Sequence, residues 1–100
     1  MQSSFLTSEN HYLRFSVTPS TKNELAIRKT IADALTQSFG LTSAATYVDV
    51  LWISEDGNDC VIRVGEGDAT RVSAALASWT ESQRLSLTKE SSFLPSVLST

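Results

Sequence analysis

The chain has 100 residues, 41% of them apolar, and a net charge of −3 from eleven acidic and eight basic side chains. That length and apolar content match one domain with a modest core, and no apolar run reaches the length of a membrane-spanning helix. The acidic balance speaks against tight autonomous nucleic-acid binding, which depends on many cationic contacts to phosphate, and a single cysteine excludes an internal disulfide and fits a reducing compartment.

The first ten residues are a polar lead-in without the basic head and apolar core of a cleaved leader, so an intracellular protein is expected. His11 to Thr18 alternates, with His11, Leu13, Phe15 and Val17 on one side and Tyr12, Arg14, Ser16 and Thr18 on the other. This is a strand with one apolar face, and Pro19 ends it. Ser20 or Thr21 is the expected helix cap, since Thr21 and Glu24 stand at capping-box spacing. The helix runs from about Lys22 to Phe39, with Leu25, Ile27, Ile31, Ala34 and Leu35 recurring at helical spacing and Gly40 as terminator. Leu41 to Ala45 reads as a short link.

Thr46 to Val64 is a β-hairpin signal: two runs rich in β-branched and aromatic residues around a loop with Asp56-Gly57 at its centre. Pairing Trp52 with Ile62 and Val50 with Val64 leaves Glu55 to Asp59 as the loop and gathers Val48, Val50, Trp52, Cys60, Ile62 and Val64 on one face. The other face then carries Tyr47, Leu51, Ile53, Val61 and Arg63. A slip by one residue would bring Asp49 opposite Val64 in the core, which disfavours that register. The first strand of the hairpin is apolar on both sides, unlike a strand with one wet face, so both of its faces are expected to be covered.

After Gly65-Glu66-Gly67, Asp68 is the expected cap of a second helix, whose stripe is Val72, Ala75, Leu76 and Trp79. Arg84 to Lys89 alternates as a last strand with Leu85 and Leu87 inward. The Ser-rich end, residues 91 to 100, has no clear pattern. The order β-α-β-β-α-β predicts an α+β, ferredoxin-like sandwich: a four-stranded antiparallel sheet with two helices on one face. One domain is expected over residues 1–100, with a core over 11–90 and tails at 1–10 and 91–100.

No constellation of catalytic side chains emerges. His11 has no carboxylate or cysteine at useful local spacing and reads as a strand-start residue. Cys60 belongs to the inward set and reads as a small apolar core residue. Asp56, Asp59, Glu66 and Asp68 sit at a turn and a helix start, where acidic residues are structurally favoured. Gly65-x-Gly67 before a helix is a weak phosphate signal, because Glu66 and Asp68 would repel an anion. The open sheet face would carry Tyr12, Arg14, Tyr47, Leu51, Ile53, Val61 and Arg63. The strand Asp59 to Val64 lacks the glycine and stacking aromatics of an RNA-recognition motif, so this mixed apolar patch with two arginines is expected to meet protein. The alternative is that the chain's own tail folds back over it through Phe93 and Leu94.

Four stretches carry a family resemblance: the opening strand His11-Tyr-Leu-Arg-Phe-Ser-Val17, the helix end Ala34-Leu-Thr-Gln-Ser-Phe-Gly40, the strand Cys60-Val-Ile-Arg-Val64, and the helix face from Val72 to Trp79. On these the chain resembles, from His11 to about Leu98, the small ferredoxin-like subunits of eukaryotic ribonuclease P and ribonuclease MRP, the processing-of-precursors proteins numbered five and eight. The acidic balance, the short length and the tail entry Glu90-Ser-Ser-Phe-Leu94 look closer to subunit eight. The resemblance implies a non-catalytic nuclear and nucleolar protein in complexes whose RNA cleaves the 5′ leader of precursor tRNA or cuts precursor ribosomal RNA. It also implies pairing with the related subunit five, contact with the large scaffold subunit one, and mainly indirect contact with the catalytic RNA. Neither cofactor nor metal is implied.

Two readings from other classes compete with it. One is a self-associating or small-ligand-binding ferredoxin-like module. The other is an acylphosphatase-type hydrolase, for which Thr18-Pro-Ser-Thr-Lys22 supplies only part of an anion cradle.

Overall fold

A computed structural model describes residues 10–40, 46–81 and 83–98; of the expected lead-in over 1–10 all but Asn10, which opens the first strand, lies outside the described residues, as does the link over 41–45. Strand β1 spans Asn10–Thr18, helix α1 Glu24–Phe39, β2 Val48–Ile53, β3 Asp59–Gly65, α2 Glu66–Ser78, β4 Arg84–Ser91 and a short helix α3 Leu94–Leu98. The strands pair in the order β2-β3-β1-β4, and every pair is antiparallel. This is the α+β, ferredoxin-like arrangement that the element order implies.

Local chemistry sets the helix ends. The cap of α1 is Asn23, two residues beyond Thr21: its side-chain oxygen accepts from the Leu25 N–H at 2.9 Å and the Ala26 N–H at 3.4 Å. Thr21 works one step earlier, its hydroxyl accepting from the Asn23 N–H at 3.1 Å. A short amide side chain that reaches two otherwise unpaired N–H groups suits the cap better than the threonine box does. At the other end Gly40 has φ of 96° and returns its N–H to the Thr36 carbonyl at 2.9 Å, as expected of a terminating glycine. Helix α2 begins at Glu66, with Gly65 as an extended cap that makes no side-chain bond. Asp68, the expected cap, is inside the first turn and pairs with Arg71, where an acidic side chain faces the positive helix end.

The inner face of the sheet holds the core. Leu13, Phe15 and Val17 of β1 and Cys60, Ile62 and Val64 of β3 are fully or almost fully buried. Ile27, Ile31, Ala34 and Leu35 of α1 and Ala69, Val72, Ala75 and Leu76 of α2 pack over them. Leu85 of β4 joins this core, whereas Leu87 remains substantially exposed, at the rim of the groove between α2 and β4. Each fully buried Leu, Ile or Phe contributes on the order of 1.5–3 kcal/mol through the apolar surface it removes from water.

The hairpin departs from the expected register. Val48 opposes Val64 and Val50 opposes Ile62, two residues from the expected pairs, so these valines keep their inward face. A β-bulge follows: the register shifts between Val50 and Trp52, leaving Leu51 as the extra residue, and the ladder resumes with Trp52 opposite Val61 and Ile53 opposite Cys60. An extra residue inverts the alternation beyond it. Ile53 therefore packs against the core, and Trp52 takes the outer side it was not expected to occupy. The loop closes with Ser54 and Asp59 bonded across it and Gly57 at φ of 74°. An ideal Cβ on Gly57 would stand 2.9 Å from the Thr21 backbone, so the turn needs a glycine for conformation and for space.

Candidate protein interface

The outer face of the sheet is neither bare nor fully covered. The Ser-rich end, which its sequence pattern leaves unplaced, folds back so that α3 packs on β1 and β4. Its anchor is Val97, completely buried. The expected fold-back residues do less: Leu94 is half-buried and Phe93 is largely exposed.

Arg14 ties this helix down. Its side chain is only 12% exposed, and its guanidinium donates to the Val97 carbonyl at 3.0 Å and, more weakly, to the Leu98 carbonyl at 3.5 Å. These are the carbonyls a helix end leaves without intrahelical partners. The same group donates to Asp59 Oδ2 at 3.4 Å and lies 5.3 Å from the centroid of the Trp52 ring, a cation–π distance. One arginine thus joins β1, β3, β2 and α3. Its cross-strand partner Val61 is fully buried yet stands outside the main core cluster, which places a small second apolar layer on this side of the sheet.

Toward the β2 edge the face opens. Tyr47 is 70% exposed, Leu51 37% and Trp52 38%. Beside them Arg63 pairs with Asp49, and the Tyr47 hydroxyl donates to Asp49 Oδ1 at 2.6 Å. The phenol and the guanidinium both favour the ionised carboxylate, so Asp49 is held below its usual pKa, first by the Tyr47 hydrogen bond and then by Arg63. Reciprocally, the Asp49 hydrogen bond and charge raise the Tyr47 pKa, and Asp49 raises that of Arg63. The arginine's charge is thus matched by a carboxylate on the same face.

The seven residues expected on this face therefore separate. Arg63 is on it and accessible, and Tyr47 joins it through Asp49; Leu51 is accessible as the unpaired bulge residue; Tyr12 is on the face and half-buried, opposite Arg63. Arg14 and Val61 are on it but engaged internally, and Ile53 is on the other side. Trp52, Val97 and Leu98 were not foreseen. The bulge that turns Trp52 outward leaves no mark in the alternation, but Leu94, Val97 and Leu98 stand at i, i+3 and i+4, a helical spacing that could have revealed α3.

The other candidate groups have structural roles. His11 Nε2 is 3.1 Å from Glu90 Oε1 across the sheet. Burial, with the nearby Asp59 charge, pushes the Cys60 thiol up to about 12, which suits an inert core residue. Asp56 is held below its usual pKa mainly by the Asn58 backbone N–H and then by the Ser54 hydroxyl within the turn. Among the described residues no group of three His, Cys, Asp or Glu is placed to hold a metal ion.

Comparison with known proteins completes the picture. No curated protein matches the chain significantly. Among solved structures, a chain of the "Cryo-EM structure of yeast Ribonuclease MRP" superimposes with a TM-score of 0.72 over 93% of this chain and 79% of that one, at 21% sequence identity. At that identity the likeness supports the fold. The family described as "Ribonucleases P/MRP protein subunit Pop8" matches residues 9–79, from the start of β1 through Trp79. With well over half of its length matched, the chain belongs to the Pop8 family of ribonuclease P/MRP protein subunits.

Proposed function

We propose that the chain pairs with a related ferredoxin-like subunit, of the subunit-five type, through the open part of its outer sheet face. Family membership makes it a non-catalytic protein subunit of these ribonucleoproteins; the pairing is what it contributes there. The observation that carries this reading is the exposed Tyr47, Leu51 and Trp52 in and beside edge strand β2, next to an Arg63 already matched by Asp49. Aromatic and aliphatic groups with neutralised charge suit a protein partner, whereas phosphate contacts need uncompensated cations. In this role the chain stabilises the particle together with the large scaffold subunit one and contacts the catalytic RNA mainly indirectly. It thereby supports removal of the tRNA 5′ leader and processing of ribosomal RNA in the nucleus and nucleolus.

Affinity purification of the tagged chain from its own cells tests this. The related subunit and the catalytic RNA should co-purify, and Leu51→Asp should release the subunit. A wild-type chain recovered as a homodimer, without either, would overturn the reading and point to a self-associating module.

A further inference from the structure

We propose that Arg14 is a positioning residue that builds half of the docking surface by pinning the C-terminal helix α3 against the sheet. This rests on the pairing proposed above and specifies how its surface is made. The guanidinium lies between two separate pieces of the chain: the Trp52 ring at 5.3 Å and the Leu98 carbonyl at 3.5 Å. Both of those residues are exposed, Trp52 by 38% and Leu98 by 42%, so β2 and α3 offer apolar surface on either side of one buried cation.

Charge says what kind of partner fits. Arg14 is matched by Asp59 and by the carbonyls of Val97 and Leu98, and Arg63 by Asp49. The combined surface is apolar with paired charges, which favours an apolar protein face over a phosphate backbone. A second ferredoxin-like chain bringing its own apolar sheet face is the occupant that meets this chemistry.

The pin matters because α3 is small. It has five residues and one fully buried side chain, Val97. Ordering the segment costs backbone entropy of about 1–2 kcal/mol per residue. The hydrogen bonds from a charged, largely buried donor add to the packing of α3 on β1 and β4 and help to keep it seated.

The test uses the full chain with Arg14→Met, which keeps a long apolar stem but removes every donor, and Arg14→Lys, which keeps the charge. Amide exchange at Ser96, Val97 and Leu98 should accelerate at least tenfold in Arg14→Met, less in Arg14→Lys, with β1 and β3 amides unchanged. Affinity for the related subunit should fall about tenfold in Arg14→Met and partly recover in Arg14→Lys. Leu98→Ala removes the helix half of the surface without touching the pin, and should weaken binding several-fold while exchange at these amides stays slow. Unchanged exchange in Arg14→Met overturns the pin. Faster exchange with wild-type affinity, or a Leu98→Ala chain that binds normally, overturns the two-part surface and leaves the pairing standing. A wild-type chain that does not bind the related subunit removes both proposals.

Discussion

The two faces of the sheet are built by different rules. On the inner face, side chains from β1, β3, α1 and α2 interlock, and the largest of them are completely buried. On the outer face, one arginine and one short helix cover part of the strands, and exposed aromatic and aliphatic groups remain beside them. The inner face follows from patterning that any well-packed α+β domain shows. The outer face combines buried Val61 and Val97, internally paired charge and exposed Tyr47, Leu51 and Trp52, an arrangement that stability alone does not require. The contrast separates the face that carries the core from the face proposed to meet a partner.

Removing packing from each face measures the contrast directly. Ile62, at the centre of the inner face and fully buried, touches both strand neighbours through its ladder with Leu13 and Val50. Ile62→Ala should destabilise the chain by about 2–5 kcal/mol in urea unfolding, because it loses transfer energy and leaves a cavity in a close-packed layer. A loss below about 1 kcal/mol would mean that the inner face is as loosely packed as the outer one, and the distinction would fail.

Val97 is equally buried but sits on the outer side. The cost of Val97→Ala should be smaller, about 1–2 kcal/mol, because it cannot exceed the free energy needed to lift α3 off a sheet that stays folded. Exchange measurements should find the loss confined to residues 93–98. A drop as large as that of Ile62→Ala, shared by the whole sheet, would make α3 an integral part of the core.

Much of this architecture is legible from the residues, and the parts that are not have identifiable causes. The alternation of Leu13, Phe15 and Val17, the stripe of Val72, Ala75 and Leu76, and Gly40 at the end of α1 all follow from local periodicity and capping, and the structure keeps them. The side of Trp52 does not follow, since a single extra residue at Leu51 reverses the alternation and nothing in the composition of Val48 to Ile53 marks a bulge. The division of the outer face is also not local. It arises where Arg14 meets carbonyls more than eighty positions away, a contact that spacing cannot announce. Of the residues expected to share the outer face, Tyr12, Arg14, Val61 and Arg63 stand on β1 and β3, Ile53 is turned inward by the bulge, and the tail engages Arg14.

Leu51 gives the opposite limit to Ile62. It is 37% exposed as the bulge residue of β2, so Leu51→Ala should change stability by no more than about 0.5 kcal/mol while reducing recovery of the related subunit. The pairing of the two measurements is the informative part: a large stability loss would assign Leu51 to the fold, and an unaltered recovery would remove it from the interface.

The smallest expected effect concerns protons on the outer face. Asp49 has a lowered folded-state pKa, set first by the Tyr47 hydroxyl and then by Arg63, whereas the unfolded carboxyl titrates near its ordinary value of about 4. A depressed carboxylate contributes stability that is present above the unfolded pKa and is lost as pH falls through the folded one. Tyr47 works in the opposite sense: its folded pKa is raised by Asp49, so its contribution is complete below about pH 10 and fades as pH rises further. The Tyr47–Asp49–Arg63 chain should thus hold across the neutral range and loosen at both extremes. Because Tyr47 is exposed and Asp49 and Arg63 are only part-buried, screening keeps the effect small, and its size is best read as a difference: in Asp49→Asn, both the acid-side and the alkaline-side changes should flatten relative to wild type. If the acid-side slope persists unchanged in Asp49→Asn, the carboxylate is not coupled to its neighbours, and the paired charge that favours a protein partner over RNA on this face is lost with it.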